Sequence, residues 1–146
     1  MEKSKILEAV KSRIAEKIQK FEKLIEETRA SNNDTKSSMG DKYETGREML
    51  QQEINNLQRQ LNESLNQQSI IQKISSDPSS KVQNGALVKT DKGLFYISAS
   101  AGEIIVDQQK IMTVSAESPL AKAMYGLTEN QNFSVNNVGQ KIVKVW

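Results

Sequence analysis

Two long stripes of apolar residues, separated by a short polar stretch, constrain this chain more than any other feature of its sequence. The first stripe recurs at steps of three and four residues from about Lys3 to Ala30, and the second from about Lys42 to Ile74. This spacing is typical of amphipathic helices, and two such helices joined by a short turn must fold back on each other. The narrow stripes favour an antiparallel coiled coil. Their members are Ile6, Leu7, Val10, Ile14, Ile18, Phe21, Leu24 and Ile25, then Leu50, Ile54, Leu57, Leu61, Leu65 and Ile71.

The polar stretch at 32–44 carries three carboxylates, Asp34, Asp41 and Glu44. Carboxylate oxygens are the ligands that Mg²⁺ prefers, and the spacing of Asp41 and Glu44 puts both on one side of a helix start. The same pair also resembles a capping box, with Asp41 as the N-cap. Two carboxylates are too few for a complete magnesium site. We therefore expect them to complete a site whose other ligands belong to a partner and to substrate phosphates.

The second half of the chain changes in character after Pro78, which ends the second helix. Ser118 and Pro119 predict a short helix with Ser as its N-cap and Pro at its first position, and Gly126 ends it. Around this helix the pattern predicts short strands at 86–90, 94–97, 103–106, 111–114, 132–135 and 141–145.

Together these patterns predict an α+β protein. Its N-terminal part, 1–76, is a long antiparallel coiled-coil hairpin with a polar, acidic tip at 31–45. A linker at 77–81 leads to a small antiparallel β-domain with one short helix at 82–146.

Composition narrows the possible chemistry. The 146 residues include no Cys and no His, which excludes a zinc site of the usual ligands, a Ser-His-Asp triad and a Cys-His nucleophile. The net charge of +2 argues against a nucleic-acid binder driven by bulk charge. Neither an apolar signal core nor a run of membrane-spanning length is present, so we expect a soluble cytoplasmic protein without membrane contact.

Three segments resemble the Gre (GreA/GreB) transcript-cleavage factors of bacterial RNA polymerase. Gly40–Glu44 matches the family's tip motif, Gly-Asp-x-x-Glu. Val114–Gly126 resembles the family's C-terminal signature, in which Ser-Pro precedes a helix of small residues that ends in Gly, and Gln131–Val145 resembles its final hairpin. The order of coiled coil, acidic tip, linker and β-domain is also that of the family.

The resemblance implies an elongation factor that is not itself an enzyme. Its β-domain would be similar to the FKBP fold and would bind RNA polymerase through Ser118, Pro119, Leu120 and Lys122. Its coiled coil would enter the secondary channel of the polymerase. Such a factor acts as a monomer, has no cofactor of its own, and contacts nascent RNA and DNA only indirectly.

At the tip, the resemblance implies that Asp41 and Glu44 help to hold a Mg²⁺ ion and a water in the partner's active site, which stimulates hydrolysis of backtracked RNA. The sequence departs from the family just after this pair, where Thr45–Glu48 replaces Asn-Ala-Glu-Tyr, and Lys42 and Arg47 make the tip less acidic. Two alternatives stay open: a polymerase-binding regulator of the same architecture without cleavage activity, and a coiled-coil scaffold whose β-domain recognises peptides.

Overall fold

A computed structural model of the protein describes residues 2–34 and 41–146, with the backbone alone at 32–34 and 41–45. Its elements confirm the predicted α+β class. They are α1 (Lys3–Asp34), α2 (Asp41–Gln72), β1 (Leu87–Thr90), β2 (Gly93–Ser98), β3 (Glu103–Val106), β4 (Gln109–Ser115), α3 (Pro119–Met124), β5 (Asn132–Val135) and β6 (Val138–Val145). The chain forms two compact units. The helical unit is Ile14–Asn66, and the sheet unit joins Met1–Arg13 to Gln67–Trp146.

The helical unit is stabilised by apolar side chains from both of its helices. Ile14 and Ile25 of α1 and Ile54 and Leu61 of α2 are each no more than 8% exposed. A single helix cannot bury its own stripe, so the two segments pack against each other within this unit. This supports the predicted helical hairpin.

One position of the predicted α2 stripe is wrong. Leu65 is 41% exposed, whereas Ser64 is 5% exposed. The prediction stepped by four residues from Leu57 to Leu61 and again to Leu65. Alternating steps of three and four from Ile54 reach Ser64 instead, and two successive steps of four rotate the side chain out of the seam.

The sheet unit contains a six-stranded sheet in the order β3-β4-β2-β1-β6-β5. The prediction of an antiparallel domain is wrong for one pair, because β2 and β4 run parallel, with Tyr96 opposite Thr113. After β2 the chain crosses to the edge of the sheet and forms β3 there, and β4 then returns between the two. Consecutive strands are neighbours in a sheet only about two-thirds of the time, and here β2 and β3 are not.

Two hairpin turns use residues with left-handed backbone conformations. Asn136 and Asn137, with φ of 52° and 64°, join β5 to β6. Asp107 and Gln108, with φ of 51° and 66°, join β3 to β4. Two-residue turns of this kind match the twist of the flanking strands and so fix the strand register.

One face of the sheet packs against α3. Its core comprises Val82, Ala86, Val88, Ile97, Ala121, Met124, Ile142 and Val145, all buried. Val82 lies just after the predicted linker and is tied to the α3 region by two backbone bonds: its N–H donates to Leu127 O at 2.9 Å, and its carbonyl accepts from Gly126 N at 2.8 Å. The segment that enters the domain is therefore fixed on this core.

The opposite face of the sheet carries Tyr96, and the buried start of α1 belongs to the same unit. Ile6 and Val10 are fully buried in the same compact unit. The Arg13 guanidinium donates to the carbonyls of Ala101 and Glu103, at 3.5 Å and 3.3 Å. The first turns of α1 thus contribute to the core of the sheet unit.

Lys3 also fixes the first turn of α1. Its side chain is buried, and its Nζ donates to the carbonyl of Asp77 at 2.6 Å and to Ser79 Oγ at 3.5 Å. Burial lowers the pKa of the Lys3 ammonium, and the nearby Asp77 carboxylate partly offsets that shift.

No helix in the described part of the chain is long and apolar enough to cross a membrane.

Candidate functional site

The Ser-Pro segment that was predicted to bind a partner forms the start of α3. Ser118 has extended backbone geometry, and its Oγ accepts from Ala121 N at 3.1 Å, which confirms the predicted N-cap. The same hydroxyl donates to Ser115 O at 2.8 Å. Pro119 follows as the first helical residue, where its missing N–H costs nothing. Ser118 therefore has a structural role that does not require a partner.

The outer side of α3 is charged and aromatic. Lys122 Nζ lies 3.7 Å from Glu117 Oε2, and both side chains are largely exposed. Tyr125 follows three residues after Lys122 and is 59% exposed. Leu120 is half-buried and packs on the core below the helix, so only part of it reaches the surface. Of the four residues predicted to bind a partner, Pro119 and Lys122 are the exposed ones.

We expect substitutions at Ser118 and Lys122 to have different effects on the free energy of unfolding. Ser118→Ala removes a cap and a second hydrogen bond and should lower the free energy of unfolding by about 1–2 kcal/mol. Lys122→Gln removes only an exposed ion pair and should change the free energy of unfolding by less than about 0.5 kcal/mol. Urea unfolding followed by circular dichroism measures both. Equal losses in the two variants would show that the hydroxyl is not the cap that stabilises α3.

The acidic pair lies at the start of α2. Asp41 is the first residue of that helix and Glu44 is three residues on, while Asp34 is the last residue of α1. The capping box and the metal-assisting role predicted for this pair concern side chains outside the described residues, and both stay predictions. Within the described residues, no group of three or more acidic side chains could hold a metal ion.

Gly46 and Arg47 follow the acidic pair, in the segment where this sequence departs from the Gre tip motif. A Cβ placed on Gly46 would meet no atom of the described residues within 4 Å, so packing among those residues does not require a glycine there. Arg47 is half-buried, and its Nε has no hydrogen-bond partner among the residues that the structure describes. The sequence alone indicated neither property.

A fully buried tyrosine lies on the face of the sheet opposite α3. Tyr96 is 0% exposed, and its hydroxyl has no hydrogen-bond partner within the described residues. Burial raises the pKa of Tyr96 to about 12. The neighbouring Thr113 differs, since its Oγ1 accepts from Ala101 N at 2.9 Å and donates to Gly102 O at 2.6 Å. Tyr96 is thus a neutral core residue that cannot act as an acid or base near pH 7.

Replacing Tyr96 by Phe should make the protein slightly more stable at pH 7, by up to about 1 kcal/mol, because it removes a buried hydroxyl without a partner. Between about pH 10 and 12 the unfolded chain loses the phenol proton while the folded chain keeps it. The stability of the wild type should therefore fall by roughly 2–3 kcal/mol across that window through this group, and the variant should lack this fall. Urea midpoints at several pH values test this, and parallel pH profiles for the two proteins would contradict it.

An open groove lies beside Tyr96 on the same side of the sheet. Lys89, Leu94, Gln109 and Trp146 line it, and its volume is about 340 Å³. From its position after the last strand, Trp146 could close the core or lie on the surface, and the strand end favours core closure. In the structure this residue is half-buried and forms one wall of the groove.

Comparison with known proteins gives only distant structural likeness. No protein-family model matches the chain, and neither does any curated protein. A crystal structure of GreA factor homolog 1 (Gfh1) from Thermus thermophilus is 15% identical, with a TM-score of 0.40 over 94% of this chain and 95% of that one. The structure of Gfh1 from Thermus aquaticus is 13% identical, with a TM-score of 0.39 over 94% of both chains. A structure of the transcription factor Gfh1 is 14% identical, with a TM-score of 0.39 over 94% of this chain and 93% of that one.

Proposed function

We propose that this chain is a Gre-like transcription elongation factor. It binds bacterial RNA polymerase through the β-domain and inserts its helical hairpin into the secondary channel. Asp41 and Glu44 then assist the Mg²⁺-dependent cleavage of backtracked RNA in the polymerase's own active site. The protein is not an enzyme by itself, because the catalytic centre belongs to the partner.

The observation that supports this proposal most is the position of the acidic residues. Two helices of 32 residues each, α1 and α2, are joined by a short connection, and Asp34 and Asp41 border that connection. At about 1.5 Å per residue each helix is on the order of 48 Å long. A carboxylate at the end of such a hairpin can reach a buried catalytic centre that a compact domain cannot enter.

The chemistry of the pair fits a shared magnesium site. Carboxylate oxygens suit Mg²⁺, and two of them leave ligand positions for the partner and for substrate phosphates. When bound, the ion would supply charge stabilisation and an activated water. Asp41 and Glu44 would provide negatively charged oxygens beside that ion. Helix α3, whose start is capped by Ser118, would present Pro119 and Lys122 to the polymerase.

A second candidate, a polymerase-binding regulator without cleavage activity, is favoured by the charges around the pair. Lys42 lies between the two acidic residues, and Arg47 follows Glu44 by three positions, close to one helical turn. Cations so close would compete with a metal ion for the carboxylates. The regulator would keep the hairpin and the β-domain, and would occupy the channel without promoting hydrolysis.

Stalled, backtracked bacterial RNA polymerase tests both candidates. The rate of RNA cleavage is measured with and without the protein, and binding is measured in parallel by co-purification. Binding with faster cleavage supports the first candidate. Binding with unchanged or slower cleavage supports the regulator. Absence of binding at low salt would overturn both candidates and leave the scaffold alternative.

A further inference from the structure

The open groove beside Tyr96 is built from three neighbouring strands. We call it the Trp146 groove, lined by Lys89, Leu94, Gln109 and Trp146. In the strand register, Lys89 lies opposite Leu94 on one side and opposite Lys144 on the other. These residues therefore belong to one continuous face of the sheet. The buried part of that face ends here, since Leu94 and Trp146 are only half-buried.

The groove carries positive charge that the fold does not compensate. Lys89 and Lys144 lie directly opposite each other on an antiparallel pair, where like charges destabilise the sheet. Among the residues that the structure describes, neither ammonium lies within ion-pair distance of a carboxylate. Asp91, just past the end of β1, is engaged elsewhere, because its Oδ1 accepts from Lys141 N at 3.0 Å. An anionic occupant would relieve this repulsion.

The lining of the groove is mixed, with an aromatic ring and an aliphatic side chain beside polar groups. Lys144 Nζ lies 4.8 Å from the centroid of the Trp146 ring, a cation–π contact that holds the ammonium at the groove. That contact occupies one face of the ring and leaves one face for an apolar side chain or a stacking base. Leu94 adds an aliphatic wall and Gln109 an amide that can pair with a peptide group. The volume of about 340 Å³ is at the small end for ligand pockets and suits one large apolar side chain.

We propose that the Trp146 groove docks an acidic segment of a partner protein, in which carboxylates flank a large apolar side chain. The apolar side chain enters between Leu94 and Trp146, and the carboxylates pair with Lys89 and Lys144. This inference does not depend on the proposed function, since none of the residues that line the groove belongs to α3 or to the acidic pair. A scaffold or a polymerase factor could use it equally.

The single tryptophan of the chain makes the groove directly observable. Intrinsic fluorescence of the full-length protein is titrated with the peptide Glu-Glu-Leu-Glu-Glu at low salt, up to about 5 mM. The neutral peptide Gln-Gln-Leu-Gln-Gln and a short oligouridylate are titrated in the same way. We expect a saturable fluorescence change with the acidic peptide alone, and we expect it to weaken as salt is added.

Charge-reversal variants localise the binding. Lys89→Glu/Lys144→Glu should weaken binding of the acidic peptide by about tenfold or more, because it replaces attraction by repulsion. The matched control Lys92→Glu/Lys141→Glu has the same change in net charge on exposed lysines that do not line the groove. It should weaken binding by no more than about twofold at moderate salt. The neutral variant Lys89→Gln/Lys144→Gln serves as a second test that keeps the sheet free of new charge.

Four results would overturn the proposal. They are the lack of a saturable change with the acidic peptide, an equal response to the neutral peptide, tighter binding of the oligouridylate than of the peptide, and equal loss in the groove and control variants. Thermal unfolding of each variant by circular dichroism shows that the fold is retained.

Discussion

Replacing Asp41 and Glu44 by Asn and Gln should slow the polymerase-dependent cleavage of backtracked RNA by about 100-fold, while binding to the polymerase changes by no more than about twofold. The amides keep the size of the side chains but remove the negative charge that would stabilise a shared Mg²⁺. Such an effect belongs to the reaction rather than to docking, because binding would depend on the β-domain and on the length of the helices. Single-turnover cleavage at saturating factor separates the two.

The matched control is Glu48→Gln, an exposed acidic residue of α2 that lies one turn after Glu44. It should leave cleavage within about twofold of the wild type, since a carboxylate outside the pair does not share the ion. Full activity of the double variant would eliminate the metal-assisting role even if wild-type stimulation were strong. A graded loss that restores with excess Mg²⁺ would instead agree with weakened ion binding.

Among the glycines of the sheet unit, Gly85 is the one whose substitution by Ala should destabilise the protein most. Gly85 has φ of +85°, a conformation that side chains disfavour. A Cβ there would lie 2.9 Å from Ile74 Cγ2 and 3.1 Å from the Ser75 carbonyl oxygen. The backbone oxygen cannot move easily, and Gly85 N is itself held by Ile97 O at 2.7 Å. We expect a loss of about 2–4 kcal/mol and a melting temperature lower by roughly 5–10 °C.

Gly139→Ala is the control for this prediction. Gly139 lies in β6, and a Cβ there would meet no atom within 4 Å. Its substitution should change the free energy of unfolding by less than about 0.5 kcal/mol, or slightly stabilise the strand. Differential scanning calorimetry of both variants measures the difference. A melting temperature for Gly85→Ala within about 2 °C of the wild type would mean that the contact with Ile74 relaxes without cost.

Local signals predicted most of the elements. The apolar stripes predicted both helices, and Ser118 with Pro119 predicted the start of α3, because capping and proline chemistry act within a few residues. Likewise β3 and β5 occur at the predicted residues. Helix α1 continues to Asp34, four residues past the predicted end, so the chain overrides the turn preference of its Ser and Asn residues.

What the sequence could not predict depends on contacts between distant residues. The parallel pairing of β2 with β4 follows from β3 forming at the sheet edge, which no local pattern indicates. The local sequence gives no sign that Lys3 is buried, because the Asp77 carbonyl to which it donates is 74 positions away. The Trp146 groove likewise joins residues of β1, β2 and β4 to the end of the chain. Of the candidate functional residues, the sequence could suggest the acidic pair and the α3 segment but not this groove.

The division of the chain into units has a consequence for its synthesis. Residues of the sheet unit lie at both ends of the sequence, and Arg13 bonds to Glu103 across 90 positions. The first turns of α1 therefore leave the ribosome long before the strands that they contact. Closing so long a loop costs conformational entropy, which slows folding. A hairpin that forms early from Ile14–Asn66 would bring Arg13 and Gln67 close together and shorten that search. The helical segment would then assist assembly of the domain whose residues flank it in the sequence.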